Sequence, residues 1–197
     1  MSLTLLDWRR TVAAMYAAVR ESAERDPEAT LVSFRTSRER LIREHPQSPI
    51  RPEKRDAFDG LDHWPRDPAL RFEAVVEPAE PERLIARSLD GDPYPLDRIG
   101  RVRLPVGELE VYWIEVYGGG VFVPFRDATS GMETYGSGRY LEAPYYDDTD
   151  EVELDFNLAY NPSCAFSPAY DCPFPPPQNR LPVEVLAGEK LPFAKPN

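Results

Sequence analysis

The chain has 197 residues, 42% hydrophobic and 29% charged, which suits a folded domain with its own core and excludes collagen-like and disordered classes. A formal net charge of -11 argues against nonspecific binding to nucleic acid, which requires a basic surface. No apolar run approaches the roughly 20 residues of a membrane helix, and arginines spread through the first 20 positions replace the apolar core of a signal peptide. The expectation is a cytoplasmic protein with no nucleic-acid or membrane partner.

Leu5, Trp8, Val12, Met15, Tyr16 and Val19 recur at intervals of three and four, so residues 4–22 read as an amphipathic helix with one apolar stripe. Thr36 followed by Glu39 has capping-box spacing for a second short helix that Pro46 stops near His45. Pro52 suits a first helical position and Gly60 a helix end. From Arg71 the apolar period changes to two. "RFEAVVEP", "ERLIARSLDG", "IGRVRLPVG", "ELEVYWIEVYGG", "GVFVPFRD", "ETYGSGRYLEAP" and "EVELDFNLAYN" read as short strands between Gly, Pro and Asp turns, and "LPVEVLAG" as a late strand. The sequence therefore predicts a mainly β, α+β fold. Its antiparallel meander forms a small barrel or strongly curved sheet, with a two-sheet sandwich as the alternative, and the N-terminal helices pack on it. One domain is expected over 1–197: helical over 1–62, an antiparallel core over 70–161, and a Pro-rich cover with the last strand over 162–197.

Two polar stretches carry the candidate site. "FRDATSGMETYGSGRY" holds Arg126, Asp127, Thr129, Thr134, Tyr135, Arg139 and Tyr140 around a Gly-Ser-Gly turn. An Arg beside an Asp is either a structural pair or an anion site, because the planar guanidinium fork matches a carboxylate or phosphate as well as it matches an aspartate. The "GSG" lacks the helix start and the spacing of a nucleotide-binding loop and reads as a close backbone approach. In "EVELDFNLAYN", Asp155, Asn157 and Asn161 lie on the polar face of the expected strand. Short directional groups of that kind suit a polar cavity or an internal network better than open solvent.

Three motifs together, "SPIRPEKRDAFDGLDHWP", "VFVPFRDATSGMETYGSGRYL" and "DFNLAYNPSCAFSPAYDCPFPPPQNRLPVEVLAGEK", resemble the bacterial and archaeal family called domain of unknown function 1684 over roughly residues 48–190. The resemblance implies a shared fold and shared special residues and supplies no mechanism. Many members look like exported lipoproteins, whereas this chain shows no lipobox or leader.

Cys164 and Cys172, the two cysteines, sit in the Pro-rich cover without CxxC spacing, and His45 and His63 are the two histidines. The pattern gives no metal or cofactor set and predicts reduced thiols. Tyr112, Trp113, Tyr117, Phe122 and Phe125 fill the core or line a ligand cavity. The acidic run "YYDDTDEVE" reads as a solvated loop. Three functions follow. The leading one is a barrel that binds a small molecule, an anion included, in a polar pocket made from the hairpin at 125–140, the polar face of 153–161 and the cover at 162–180 with Cys164 and Cys172; the second is an enzyme with Asp155 or Asp127 as base and Arg126 or Arg139 steadying an anion; the third is a structural or interaction protein without a ligand.

Overall fold

The computed structural model describes residues 3–86, 88, 94–113, 121–146 and 148–192; residues 3–61 gather into one compact unit and 62–192 into another. The first unit holds helices α1 (Leu3–Ser22) and α2 (Pro27–Glu44) and a 3-10 turn over Pro52–Ala57. The expected α1 stripe is present: Val19 is buried and the other five residues are half-buried, with Tyr16 meeting Phe34 of α2 at 5.3 Å between ring centroids.

The second helix corrects the expectation. Thr36 and Glu39 lie inside α2, whose N-cap is Asp26, accepting the Ala29 N–H at 3.0 Å, with Pro27 in the first turn. An acidic cap followed by Pro fixes the start of the helix before the Thr36 spacing is reached. Glu39 acts outside its own helix, accepting the Leu61 N–H at 3.1 Å. Gly60 allows that approach: its φ is +126°, and a Cβ there would stand 2.9 Å from the Glu39 carboxylate.

The second unit is built on two antiparallel sheets. The smaller has the order β1 (Arg71–Val75), β9 (Glu151–Asp155), β8 (Tyr145–Tyr146). The larger runs β2 (Glu77–Pro78), β4 (Tyr94–Leu104), β5 (Gly107–Trp113), β6 (Val121–Phe125), β7 (Arg139–Ala143), with β3 (Arg83–Ala86) also on β4. Strands β4 to β7 are the expected meander. Among the described residues no strand pairing closes either sheet into a barrel. The part of the expected "ELEVYWIEVYGG" strand beyond Trp113, Tyr117 included, lies outside the described residues, as does Asp147 of the acidic run. Among the described residues no helix is long and apolar enough to cross a membrane.

Two further expectations change. The alternation in "EVELDFNLAYN" carries a strand only to Asp155; Phe156–Leu158 is a 3-10 turn, and Phe156, Asn157 and Leu158 are all buried. The cause is local: Asp155 accepts the Asn157 N–H at 2.9 Å and so bends the chain out of the sheet. "LPVEVLAG" forms no strand: Leu181, Val185 and Ala187 are buried, but Val183 in the same alternation is 39% exposed. Pro182 has no N–H to give a ladder, and the carbonyls of this segment are claimed by a side chain.

Phe122, Tyr112 and Phe125 are core residues, and Trp113 at the end of β5 is 46% exposed. The Pro-rich segment is ordered and largely buried. Its cohesion to the sheet comes from tyrosine hydroxyls that donate to its carbonyls: Tyr140 to Pro173 at 2.6 Å and Tyr94 to Asp171 at 3.0 Å.

Candidate functional site

The predicted site residues divide among separate networks. The first surrounds Arg139, at the start of β7 and 1% exposed. Buried guanidinium must be paired, and this one is enclosed: it donates to the carbonyls of Ala187, of Val185 at 2.9 Å and of Glu189 at 3.2 Å, and to Asp127 Oδ2 at 3.4 Å. Residues 185, 187 and 189 alternate, so one side of an extended segment gives its carbonyls to a single Arg in place of a neighbouring strand. Burial pushes the guanidinium pKa down to about 10, opposed by the Asp127 and Glu189 charges, so the group stays cationic at neutral pH. The Phe125 ring lies 5.2 Å below it.

Asp127 is equally committed. Its Oδ2 accepts the Val185 N–H at 2.7 Å, and its carboxylate also accepts the hydroxyls of Thr129 and Ser130. Thr134 completes the cluster, 2.8 Å from Thr129 between hydroxyls. The Thr129 proton goes to Asp127, which leaves Thr134 to donate to Thr129. Every predicted polar residue of this cluster is buried, and both Asp127 oxygens face donors. It is a latch between the hairpin and the 183–189 segment, with nothing to offer as a general base.

Asp155 and Asn157 form a second network with Asp67. The Asn157 amide donates to Asp155 Oδ1 at 2.8 Å and to the Asp67 carbonyl at 2.9 Å, and its oxygen accepts the Asp67 N–H at 2.8 Å. Burial raises the Asp155 pKa, with the Asn157 hydrogen bonds opposing. Asn161 belongs to a third: its N–H and side-chain amide donate to Glu189 at 2.8 and 3.1 Å, and the amide also to the Lys190 carbonyl at 2.7 Å.

Tyr135, Tyr140, Cys164 and Cys172 meet in a fourth group, in which the buried thiols pack with Leu96, Tyr112 and Phe122. Both cysteines are free thiols. The Cys164 N–H donates to Cys172 Sγ at 3.4 Å. A hydrogen bond from Cys172 lowers the Cys164 pKa, while that same partner and burial push the Cys172 thiol up. Burial, then Cys164, push the Tyr135 hydroxyl up to about 12.

Arg126 stands apart from all of these. It is half-buried, its guanidinium 5.9 Å from the Phe174 ring centroid; its Nε, like that of Arg139, is buried without a partner, but unlike Arg139 it makes no side-chain hydrogen bond or ion pair with the described residues. Its backbone pairs with Arg180 in a parallel bridge, through Arg126 N–H to Asn179 O at 2.9 Å and Leu181 N–H to Arg126 O at 2.8 Å. Opposed residues of such a pair face the same side, at a strand spacing of about 5 Å. Arg180 is exposed and likewise has no ion pair among the described residues. Gly138 seats the hairpin beside this pair: at φ +100°, a Cβ would stand 2.6 Å from Phe125 O, 2.7 Å from Pro175 Cγ and 3.1 Å from Arg126 Cγ. That is the close approach the Gly-Ser-Gly turn implied.

Sequence reasoning missed Arg180, Glu189 and Asn179. Asn179 is 0% exposed, accepts the Glu110 N–H at 2.8 Å and donates to the carbonyls of Glu110 and Pro124 at 2.9 and 2.8 Å. Its amide acts as a peptide group inserted between β5 and β6. Its only signal was an Asn closing the Pro run "PFPPPQN", which reads as a turn residue. Among the described residues no three of His, Cys, Asp and Glu gather as metal ligands.

Fold and site together define an α+β protein with antiparallel sheets and an ordered Pro-rich C-terminal strap, latched by buried polar residues. The chain belongs to the family described as protein of unknown function (DUF1684), whose profile matches residues 56–190. An uncharacterized protein of Haloarcula marismortui, determined in solution by NMR, is 38% identical, with 86% of this chain and 96% of that one covered and a TM-score of 0.64. No curated protein matches the chain.

Proposed function

We propose that this protein binds a small anionic molecule, and that Arg126 and Arg180 hold it. The observation that carries this reading is the bridge that sets two arginines side by side with no carboxylate paired to either among the described residues, in a chain of net charge -11. Two adjacent like charges repel, and a dianion relieves that repulsion while filling two guanidinium forks. Phosphate and dicarboxylates fit. The Phe174 ring gives the ligand an apolar floor. The catalytic alternative loses support because Asp127 and Arg139 are consumed by the fold and Asp155 holds a turn. The reading needs no closed barrel, and it treats residues 1–197 as one domain working in the cytoplasm without nucleic acid or membrane.

The test is thermal unfolding of wild type, Arg126→Gln and Arg180→Gln with inorganic phosphate, pyrophosphate, sulfate and succinate. A bound anion at 100 times its Kd should stabilise wild type by about 2.7 kcal/mol, and the Arg126→Gln protein should lose that gain. The reading fails if no anion stabilises wild type, or if one stabilises the variant equally.

A further inference from the structure

We propose that Cys164 and Cys172 are a redox modification site, which a small peroxide converts to an internal disulfide. This rests on geometry independent of the arginine pair. The 3-10 turn Ser163–Ala165 begins after Pro162 and aims the Cys164 N–H at Cys172 Sγ, 3.4 Å away. With the N–Cα bond length, that puts the Cys172 sulfur within about 5 Å of Cys164 Cα, so the two cysteine side chains lie against each other. The two thiols also shift each other's proton affinity, Cys172 lowering that of Cys164 and Cys164 raising that of Cys172.

The roles of the two sulfurs differ. Cys164 accepts hydrogen bonds and holds the thiolate more readily; Cys172 keeps its proton. The Cys164 thiolate attacks one peroxide oxygen, the O–O bond breaks, and the departing hydroxide takes a proton and leaves as water. The sulfenic acid so formed is attacked by the Cys172 sulfur; the S–S bond forms, the S–O bond breaks, and a second water leaves. Two thiols are oxidised by one peroxide, which is reduced to two waters. The two residues are only 6% and 7% exposed, which is why the oxidant is a small peroxide and not a bulky disulfide. The resolving sulfur stands 3.4 Å from the backbone N of the attacking residue, so closure outruns further oxidation of Cys164.

The experiment treats the folded full chain with hydrogen peroxide, quenches it, and unfolds it for thiol counting and mass spectrometry, with dimedone trapping of sulfenic acid in parallel. The expected result is a count falling from two free thiols to zero, with loss of two hydrogens in mass and no dimedone adduct. Cys172→Ser should carry one dimedone adduct, on Cys164, and dithiothreitol should restore both wild-type thiols. Because a serine could unsettle the core, the wild-type mass is decisive on its own. Retention of both thiols overturns the proposal, and so does a wild-type product oxidised at Cys164 to sulfenic or sulfinic acid without the internal bond.

Discussion

Arg126 and Arg139 bracket one hairpin, bear the same guanidinium, and meet opposite fates. Arg139 is enclosed by three carbonyls and Asp127, whereas Arg126 lies on Phe174 with no acidic partner among the described residues. The difference lies in what the 179–189 segment presents to each. It turns a row of carbonyls toward Arg139 and a second arginine toward Arg126. A buried charge surrounded by fixed acceptors belongs to the fold; Arg126 has no such enclosure.

The comparison breaks most readily at Arg139. Arg139→Met keeps much of the stem's packing but strands Asp127 and the carbonyls of the 185–189 segment, so it should lower the unfolding free energy by about 3 to 5 kcal/mol. Urea melts measure this, and a loss below about 1 kcal/mol would mean that Arg139 is no latch. Asn179→Ala should come next. It leaves the Glu110 N–H and the Glu110 and Pro124 carbonyls without their buried partner, at about 2 to 3 kcal/mol. Hydrogen exchange sharpens the point, since the Glu110 amide should lose protection ahead of amides elsewhere in β5.

Arg126→Gln should change stability by less than about 1 kcal/mol in the absence of anion, because no partner is stranded. A loss as large as that of Arg139→Met in the same melts would erase the distinction between the two arginines.

The smallest effect concerns pH. Asp155 has a folded pKa raised by burial, so the folded chain binds this proton more readily than the unfolded chain. Its contribution to stability is present below the unfolded pKa and is lost as pH rises through the folded value. Asp155→Asn retains an oxygen to accept from Asn157 and removes that titration. The variant's stability relative to wild type should therefore rise between about pH 3 and pH 7. A variant that loses stability relative to wild type over this range would reverse the assigned direction.

What the sequence determined by itself is what short-range patterning encodes. The three-four stripe placed α1, the period of two placed β4 to β7, and the Gly-Ser-Gly turn announced the backbone approach at Gly138, since each signal rests on residues within a turn or two of one another. The motifs also marked Asp127, Arg139, Asn157 and Asn161 as special. Only the tertiary structure decided what they are special for. Asp155 turns the chain at Phe156, where the alternation still read as strand. The 181–188 segment lost its strand because its Val185 and Ala187 carbonyls found Arg139, far back in the chain. Arg126 and Arg139 carry the same charge and hydrogen-bonding groups, so no local pattern distinguishes them. Their roles were set by which distant backbone packed against each, and long-range packing of that kind leaves no periodic trace in the sequence.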